Sequence, residues 1–384
     1  MPHVALIVET SLGYGRGILR GVAQYVLAHQ PWSMYVDQRG LNDPPPGWLD
    51  NWDGHGVIMR AQTKRIASAV ANLKVPAVDT QHQIQGLDVP TVIPDHAAVA
   101  QAAAEHLLER HFRHFAFVGV ERALWSKLRR DAFIDAIQQA GYPCYMYSPI
   151  SRSRVLEGWE GGQNDLADWL QELPKPIGVM AAHDLRALCV LDACRRKGLA
   201  VPEQVAVIGV DDDETLCNLS DPPLSSVQLD HECIGFTAAE LLDHLMRGKK
   251  PPKQPITVRP LGVSTRRSTD SIAISDPLTA QAVRYIHQQA CNGVSVTDVA
   301  RHCNVSRRVI EHSFSKLLGT TPHKQIVRAK LSHVKQLLTG TDYALDAIAA
   351  KCGLTHAAYL SVMFKKEVGQ TPGEYRRATS PNGK

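Results

Sequence analysis

Short apolar runs recur along residues 1 to about 260: "VALIV", "GVIM", "FAFVGV", "IGVMAA" and "VAVIGV". They are rich in Val and Ile and show no polar alternation, as parallel strands buried on both faces do. Between them lie stretches with helical spacing of apolar residues, among them "GILRGVAQYVLAHQ", "AVAQAAAEHLLERH" and "FTAAELLDHLMRG". Repeated strand–helix–strand units predict a doubly wound α/β fold, and this length holds two such lobes.

Near the C-terminus the pattern changes, and one helical unit is written twice. "DVARHCNVSRRVIEHSFSKLLGTTP", residues 298 to 322, is answered by "AIAAKCGLTHAAYLSVMFKKEVGQTP", residues 347 to 372. In the first copy Ser295 and Asp298 have capping-box spacing, and Ala300 is small where a second helix must cross. Asn304 and its counterpart Gly353 are residue types that tolerate the left-handed backbone of a tight interhelical turn. Ser306 and Thr355 are expected to N-cap the following helix, and Gly319 and Gly369 to close it. This spacing predicts two helix-turn-helix units, at about 295–319 and 344–369. Between them Thr321 and Pro322 open a linking helix with Val327, Leu331, Val334 and Leu338 on one face. Its length would set the two reading helices about 34 Å apart, one turn of DNA.

Charge sharpens this division. From residue 275 onward fifteen Lys and Arg stand against seven Asp and Glu, a net of +8; the rest carries 27 against 31, a net of −4. A basic unit behind a mildly acidic one suggests a polyanion-binding tail, with double-stranded DNA as the partner. The eight cysteines form no Cys-x-x-Cys pair, which suits reduced thiols in a cytoplasmic protein and predicts no metal site. No run of eighteen apolar residues predicts a membrane span, and the first apolar run is expected to be a strand, not a leader.

In doubly wound folds ligands sit beyond the C-terminal ends of the strands, and those ends are polar here. Glu9, Thr10 and Ser11 follow the first run, and Tyr14 and Arg16 precede its helix. Arg60, Asp79 and Asp95 follow others. Trp125 and Arg129 come after "FAFVGV", His183 and Asp184 after "IGVMAA", and Asp211, Asp212 and Asp213 after "VAVIGV". Carboxylates and guanidinium groups pair with adjacent hydroxyls, and an indole stacks on a pyranose, so the set suits a monosaccharide. Tyr14, Arg16, Asp95, Trp125, Arg129, His183, Asp184 and Asp211 are the expected ligand residues, with Arg16, Arg129 and Asp211 foremost. Asp95, Asp184 and Asp213 are alternatively helix caps. No enzyme or cofactor is expected. "LGYGRG" is not G-x-G-x-x-G, consecutive carboxylates in "DDDE" cannot all face one ion, His111 and His114 lack a zinc motif, and no G-x-S-x-G elbow appears.

"HDLRA", "VAVIGVDDDE", "LSSVQLD", "GFTAAELL" and "VRPLGVSTRRST" resemble the periplasmic-binding-protein-like sensor of LacI/GalR-type regulators. Those regulators place DNA-binding helices before the sensor, but here the first strand is expected at residue 4. Residues 275 to 378 instead resemble the AraC-type DNA-binding domain, most specifically at "FKKEVGQTPGEYRR". The expected division is a sugar sensor of two α/β lobes over 1–270 and an all-α DNA-binding domain over 271–384. The combination resembles the family of xylose-operon regulators across nearly the whole chain. The resemblance implies a D-xylose effector, activation of pentose-use genes, a homodimer formed through the sensor, and RNA polymerase as a further partner. The loop "ETSLG" and His183 depart from the family pattern and leave another monosaccharide open, as does a sugar-binding protein or enzyme with an interaction tail. On the DNA side the expected contacts are Ser306, Arg307, Arg308, Glu311 and His312 in the first copy. In the second they are Thr355, His356, Tyr359, Lys365 and Lys366. Arg and Glu favour base edges there, and the two lysines favour phosphate.

Overall fold

The computed structural model describes residues 1–147, 159–270, 272–274 and 276–379. Its first lobe is a parallel sheet in the order β2-β1-β3-β4, from Ser33–Val36, His3–Ile7, Gly56–Met59 and Ala77–Asp79. Its second lobe is a six-stranded sheet, β12-β10-β9-β8-β6-β7, from Gly262–Ser264, Ser225–Gln228, Val205–Val210, Ile177–Ala181, His114–Val118 and Cys144–Met146. All its pairings are parallel except that of β12 with β10. The five apolar runs lie on β1, β3, β6, β8 and β9. Each of these strands is buried along its length, apart from His3 and His114 at the starts of β1 and β6, as crossover helices on both faces require.

The helices of the first lobe are α1 (Gly13–Ala28) and α2 (Lys64–Ala71). Those of the second are α3 (His96–Glu109), α4 (Leu124–Gln139), α5 (Trp159–Glu172), α6 (Asp184–Arg196) and α7 (Glu214–Leu219). The chain then returns: α8 (His231–Met246) packs on α1 of the first lobe. Glycine permits that contact. A Cβ on Gly21 would lie 1.9 Å from the Glu232 carbonyl oxygen, and one on Gly235 would lie 2.0 Å from that of Ile18. Strand β11 (Ile256–Val258) pairs with β5 (Val92–Pro94). The backbone thus passes between the lobes three times, after β5, after β10 and after β11.

The tail is helical: α9 (Pro277–Gln289), α10 (Val296–His302), α11 (Arg307–Leu318), α12 (Pro322–Gly340), α13 (Leu345–Lys351), α14 (Ala357–Val368) and α15 (Pro372–Thr379). It has two cores of its own. Val299, Ala300, Cys303, Ile310 and Phe314 fill the first; Ile348, Ala349, Cys352, Leu360 and Phe364 fill the second at matching places. Leu331, Val334 and Leu338 of α12 belong to the second core, and Ile326 to the first. The turn chemistry is as expected. Asn304 and Gly353 have φ of 54° and 61°, and Gly319 and Gly369 have 61° and 85°. The Ser295–Asp298 capping box and the Thr321 cap are both formed. No described helix is long and apolar enough to cross a membrane.

Helix α12 also leans on the sensor. Lys335 Nζ lies 3.6 Å from Glu105, Ser332 donates to Glu109 at 3.3 Å, and Gln336 donates to the Val263 carbonyl at 3.4 Å. Gln325 meets the ring of His111 at 3.2 Å.

Candidate ligand cleft and nucleic-acid interface

The strand ends of both lobes face one cavity of about 130 Å³. This is well below the several hundred cubic ångströms of a drug-sized site, and it suits a small ligand. The first lobe contributes Tyr14, Arg60, Gln62 and Gln81; the second contributes Trp125, Arg129, His183, Asp184 and Asp211. His96, just past the first crossing, completes the wall.

Arg129, on α4, is buried and held from two sides. Nη1 donates to the Ala182 carbonyl at 2.6 Å, and Nε to His96 Nδ1 at 3.4 Å. Its Nη2 lies 3.9 Å from Asp211 Oδ1. Burial pushes the Asp211 carboxyl up to about 6, with Arg129 and Arg60 pulling it back. That leaves a guanidinium and a carboxylate 3.9 Å apart, a donor and an acceptor of the kind that pair with hydroxyls. Asp211 also sits at φ 110°, a conformation rare for a side-chain-bearing residue and frequent at ligand clamps.

Trp125 packs edge-on to His183, with ring centroids 5.3 Å apart, and lies 5.2 Å under the Arg129 guanidinium carbon. Across the cleft Arg60 stacks over Tyr14 at 4.3 Å and pairs with Glu9 and Gln81. Gln81 in turn donates to Gln62 at 3.1 Å. Three buried polar atoms around this site have no hydrogen-bond partner: Glu9 Oε2, His183 Nδ1 and His231 Nε2. Buried polar groups are nearly always paired; of these three residues His183 lines the cavity itself, while Glu9 and His231 lie behind Arg60 and Tyr14. Burial lowers His183 to about 3 and His231 to about 4, and lowers His96 as well, so all three rings are neutral near pH 7.

Two expected ligand residues are elsewhere. Arg16 is exposed, and its guanidinium donates to the Thr10 carbonyl at 2.9 Å. It is two residues from Tyr14 on one helix, and such residues face different ways. Asp95 caps α3 by accepting from the Ala98 amide at 2.9 Å and lies 3.9 Å from Arg259, in a groove beside α12. Asp184 lines the cavity but works from below. It accepts from the Asp213 amide and the Ser226 hydroxyl, at 2.9 and 2.6 Å. It thereby holds the Asp211–Asp213 turn, while Asp213 caps α7. Asp79, also at a strand end, is buried and accepts from the amides of Ala61, Gln81 and His82. Sequence reasoning noted Arg60 at its strand end but left it, with Glu9, Gln62, Gln81, His96 and His231, out of the site. Their convergence depends on which strands are neighbours.

In the tail, α11 and α14 follow the two left-handed turns, as reading helices do. Ser306 caps α11 through the Val309 amide. Arg307, Arg308, Glu311 and His312 are exposed along its start, and Arg307 pairs with Glu311 at 2.8 Å. In the second unit Thr355 is not the cap. The His356 ring accepts from the Tyr359 amide at 3.1 Å, because the helix begins one residue later than the spacing suggested. Thr355, His356, Tyr359, Lys365 and Lys366 are all exposed.

A two-lobed sensor with a cavity between its lobes, joined to paired helix-turn-helix units, defines a ligand-responsive, DNA-binding transcription regulator. Comparison with known proteins agrees part by part. Residues 104–269 match the periplasmic binding protein-like domain, and residues 299–378 match a helix-turn-helix domain. The xylose operon regulatory protein of Haemophilus influenzae is 32% identical over 381 residues, covering 97% of each chain. That of Escherichia coli is 33% identical over 388 residues, covering 98% of this chain and 97% of the other. The chain belongs to the family of xylose operon regulatory proteins. The solved structure of a xylose-binding transcription activator, xylR, is 32% identical with a TM-score of 0.63, covering 99% of this chain and 98% of that one. A cellobiose-bound regulator, 22% identical with a TM-score of 0.55, covers 69% of this chain and 84% of its own, and shows the fold of the sensor alone. These relatives are transcription regulators, not enzymes.

Proposed function

We propose that this chain is a D-xylose-dependent activator of pentose-use genes. The carrying observation is the pair of the buried Arg129 and the half-buried Asp211, 3.9 Å apart, at a cavity of monosaccharide size. In this reading adjacent sugar hydroxyls bridge the carboxylate and the guanidinium, and Trp125 covers an apolar face of the ring. Arg60, held by Glu9 and Gln81, and the open nitrogen of His183 take further hydroxyls from opposite lobes. A ligand that touches both lobes favours the closed form by its extra affinity for it.

The DNA-contacting set is Ser306, Arg307, Arg308, Glu311 and His312 in the first unit, and Thr355, His356, Tyr359, Lys365 and Lys366 in the second. Each unit reads one of two successive major-groove segments. The sensor spans 1–270 and the DNA-binding domain 271–384. The active form is a cytoplasmic homodimer, and RNA polymerase is its partner at the promoter. What supports this is the family membership and the basic tail. The unpartnered Nδ1 of His183 favours a second reading, in which the effector is another monosaccharide with a hydroxyl at that place.

Calorimetry on the full chain with D-xylose, L-arabinose, D-ribose and D-glucose decides between them. L-Arabinose and D-ribose each turn one hydroxyl away from its place in D-xylose, which leaves a buried polar group unpaired, and D-glucose adds a hydroxymethyl group that a small cavity must hold, so D-xylose should bind best and should raise affinity for DNA upstream of pentose-use genes. Tighter binding of another sugar moves the effector, and binding of none removes the sensor reading.

A further inference from the structure

One cluster of metal-ligating side chains takes no part in the cleft or the reading helices. Cys291 lies in the short turn after α9, His333 lies on α12, and Cys352 ends α13. Their sulfur and ring nitrogen atoms all lie within 4.8 Å of one another. We propose that Cys291, His333 and Cys352 form a binding site for a soft divalent cation of the zinc class, which would tie the two helix-turn-helix units together.

The donor set selects the ion. Two thiolates and an imidazole suit zinc and related metals and do not suit magnesium or calcium, which take oxygen ligands. Zinc bonds of about 2.3 Å to sulfur and about 2.0 Å to nitrogen place tetrahedral ligands roughly 3.5–3.8 Å apart. The present spacing therefore closes by about 1 Å through side-chain rotation.

The backbone is already gathered around the site. Gly353, next to Cys352, has φ 61°, and a Cβ there would lie 2.3 Å from the Cys291 carbonyl oxygen. Lys330, one turn before His333, donates to the Gly353 carbonyl at 2.7 Å. These contacts hold three segments together without an ion, so binding orders little further chain. Binding would release the thiol protons to solvent with no change of oxidation state. Among the described residues the protein supplies three donors, which leaves one tetrahedral position for water and makes the ion exchangeable.

The consequence follows from position. Cys291 leads into the first unit, Cys352 sits in the turn of the second, and His333 is on the helix that spaces them. Occupancy would stiffen the spacing of α11 and α14.

The test is titration of cobalt(II) into the full-length chain, stripped with a chelator and kept reduced. One equivalent should bind with thiolate-to-cobalt charge-transfer absorption and tetrahedral d–d bands, and zinc should displace it. Cys291→Ala and His333→Ala should each weaken binding by about tenfold or more, at least what loss of an outer-shell partner costs. Cys303→Ala, at the matching turn of the first unit, should leave binding unchanged. Circular dichroism confirms that each variant is folded. No thiolate–cobalt absorption at one equivalent, or undiminished absorption in both ligand variants, overturns the site. So does a Cys291–Cys352 disulfide found in place of cobalt uptake, which assigns the pair to thiol redox chemistry.

Discussion

Replacing Asp211 by Asn tests the cleft at its most informative atom pair. Asp211 follows β9, lies 3.9 Å from Arg129, and its side chain is 23% exposed. With its carboxyl raised to about 6, it is mostly ionised at pH 7.5. A hydrogen bond to a charged group contributes about 1.5–3 kcal/mol, so its loss should weaken sugar binding about ten- to 150-fold. Asn is the right replacement because the residue sits at φ 110°; Asn tolerates positive φ, whereas Ala would add backbone strain of its own. Asn also keeps the shape and one acceptor, so the change isolates charge. The Asp184 carboxylate beneath still holds the Asp213 amide, which keeps the turn in place. Isothermal calorimetry on a variant with unchanged circular dichroism and melting profile gives the answer. Sugar affinity within about twofold of the parent would refute the assignment of the Arg129–Asp211 pair as the hydroxyl clamp.

Sugar affinity should also fall as pH drops from 7.5 through about 6, because Asp211 protonates there; the raised carboxyl makes the ligand-free protein gain stability over the same descent. His96, His183 and His231 stay neutral across that window, so calorimetry of Asp211→Asn at two pH values should show most of the dependence gone. Arg308→Ala should cost about 1–3 kcal/mol in DNA binding and relax preference at one or two base pairs, whereas Lys365→Ala should weaken all sequences alike and flatten the salt dependence; binding-site selection separates the two. Phe364 is fully buried in the second unit, and Phe364→Ala should destabilise that core by about 3–5 kcal/mol, read by thermal unfolding.

The strands were legible because burial on both faces writes itself as an unbroken apolar run. The helix-turn-helix units were legible because their turns and caps need particular residues: Asn304, Gly353 and Ser306 are where backbone geometry demands them. The cleft was harder. Position at a strand end marked Arg60 and Asp211 alike, but only the β1-β3-β4 order brings Glu9, Arg60 and Gln81 into one row. Arg16 and Asp95 lie away from the cavity for local reasons, one by facing away from Tyr14 on the same helix, the other by capping α3. The Cys291–His333–Cys352 cluster has no sequence motif at all, since its members are spaced by the fold and not by the chain.

Geometry ties the sensor to the tail at a definable place. Any rotation between the lobes is taken up where the backbone crosses between them, and two of the three crossings touch each other. The Asp95 amide donates to the Val258 carbonyl at 2.7 Å, and the Asp95 carboxylate faces Arg259 at 3.9 Å. Both residues line the groove that also holds Ser332, Lys335 and Gln336 of α12 and Tyr375 of α15. Immediately beyond the third crossing, Gly262 has φ 140°, and a Cβ on it would lie 3.0 Å from Gln336 Cγ. Helix α12, which spaces the two reading helices, rests on the second lobe at Glu105, Glu109 and Val263, beside the place where two of the crossings meet. Asp95 thus stands where two of the crossings between the lobes meet, beside α12 and outside the lining of the cleft.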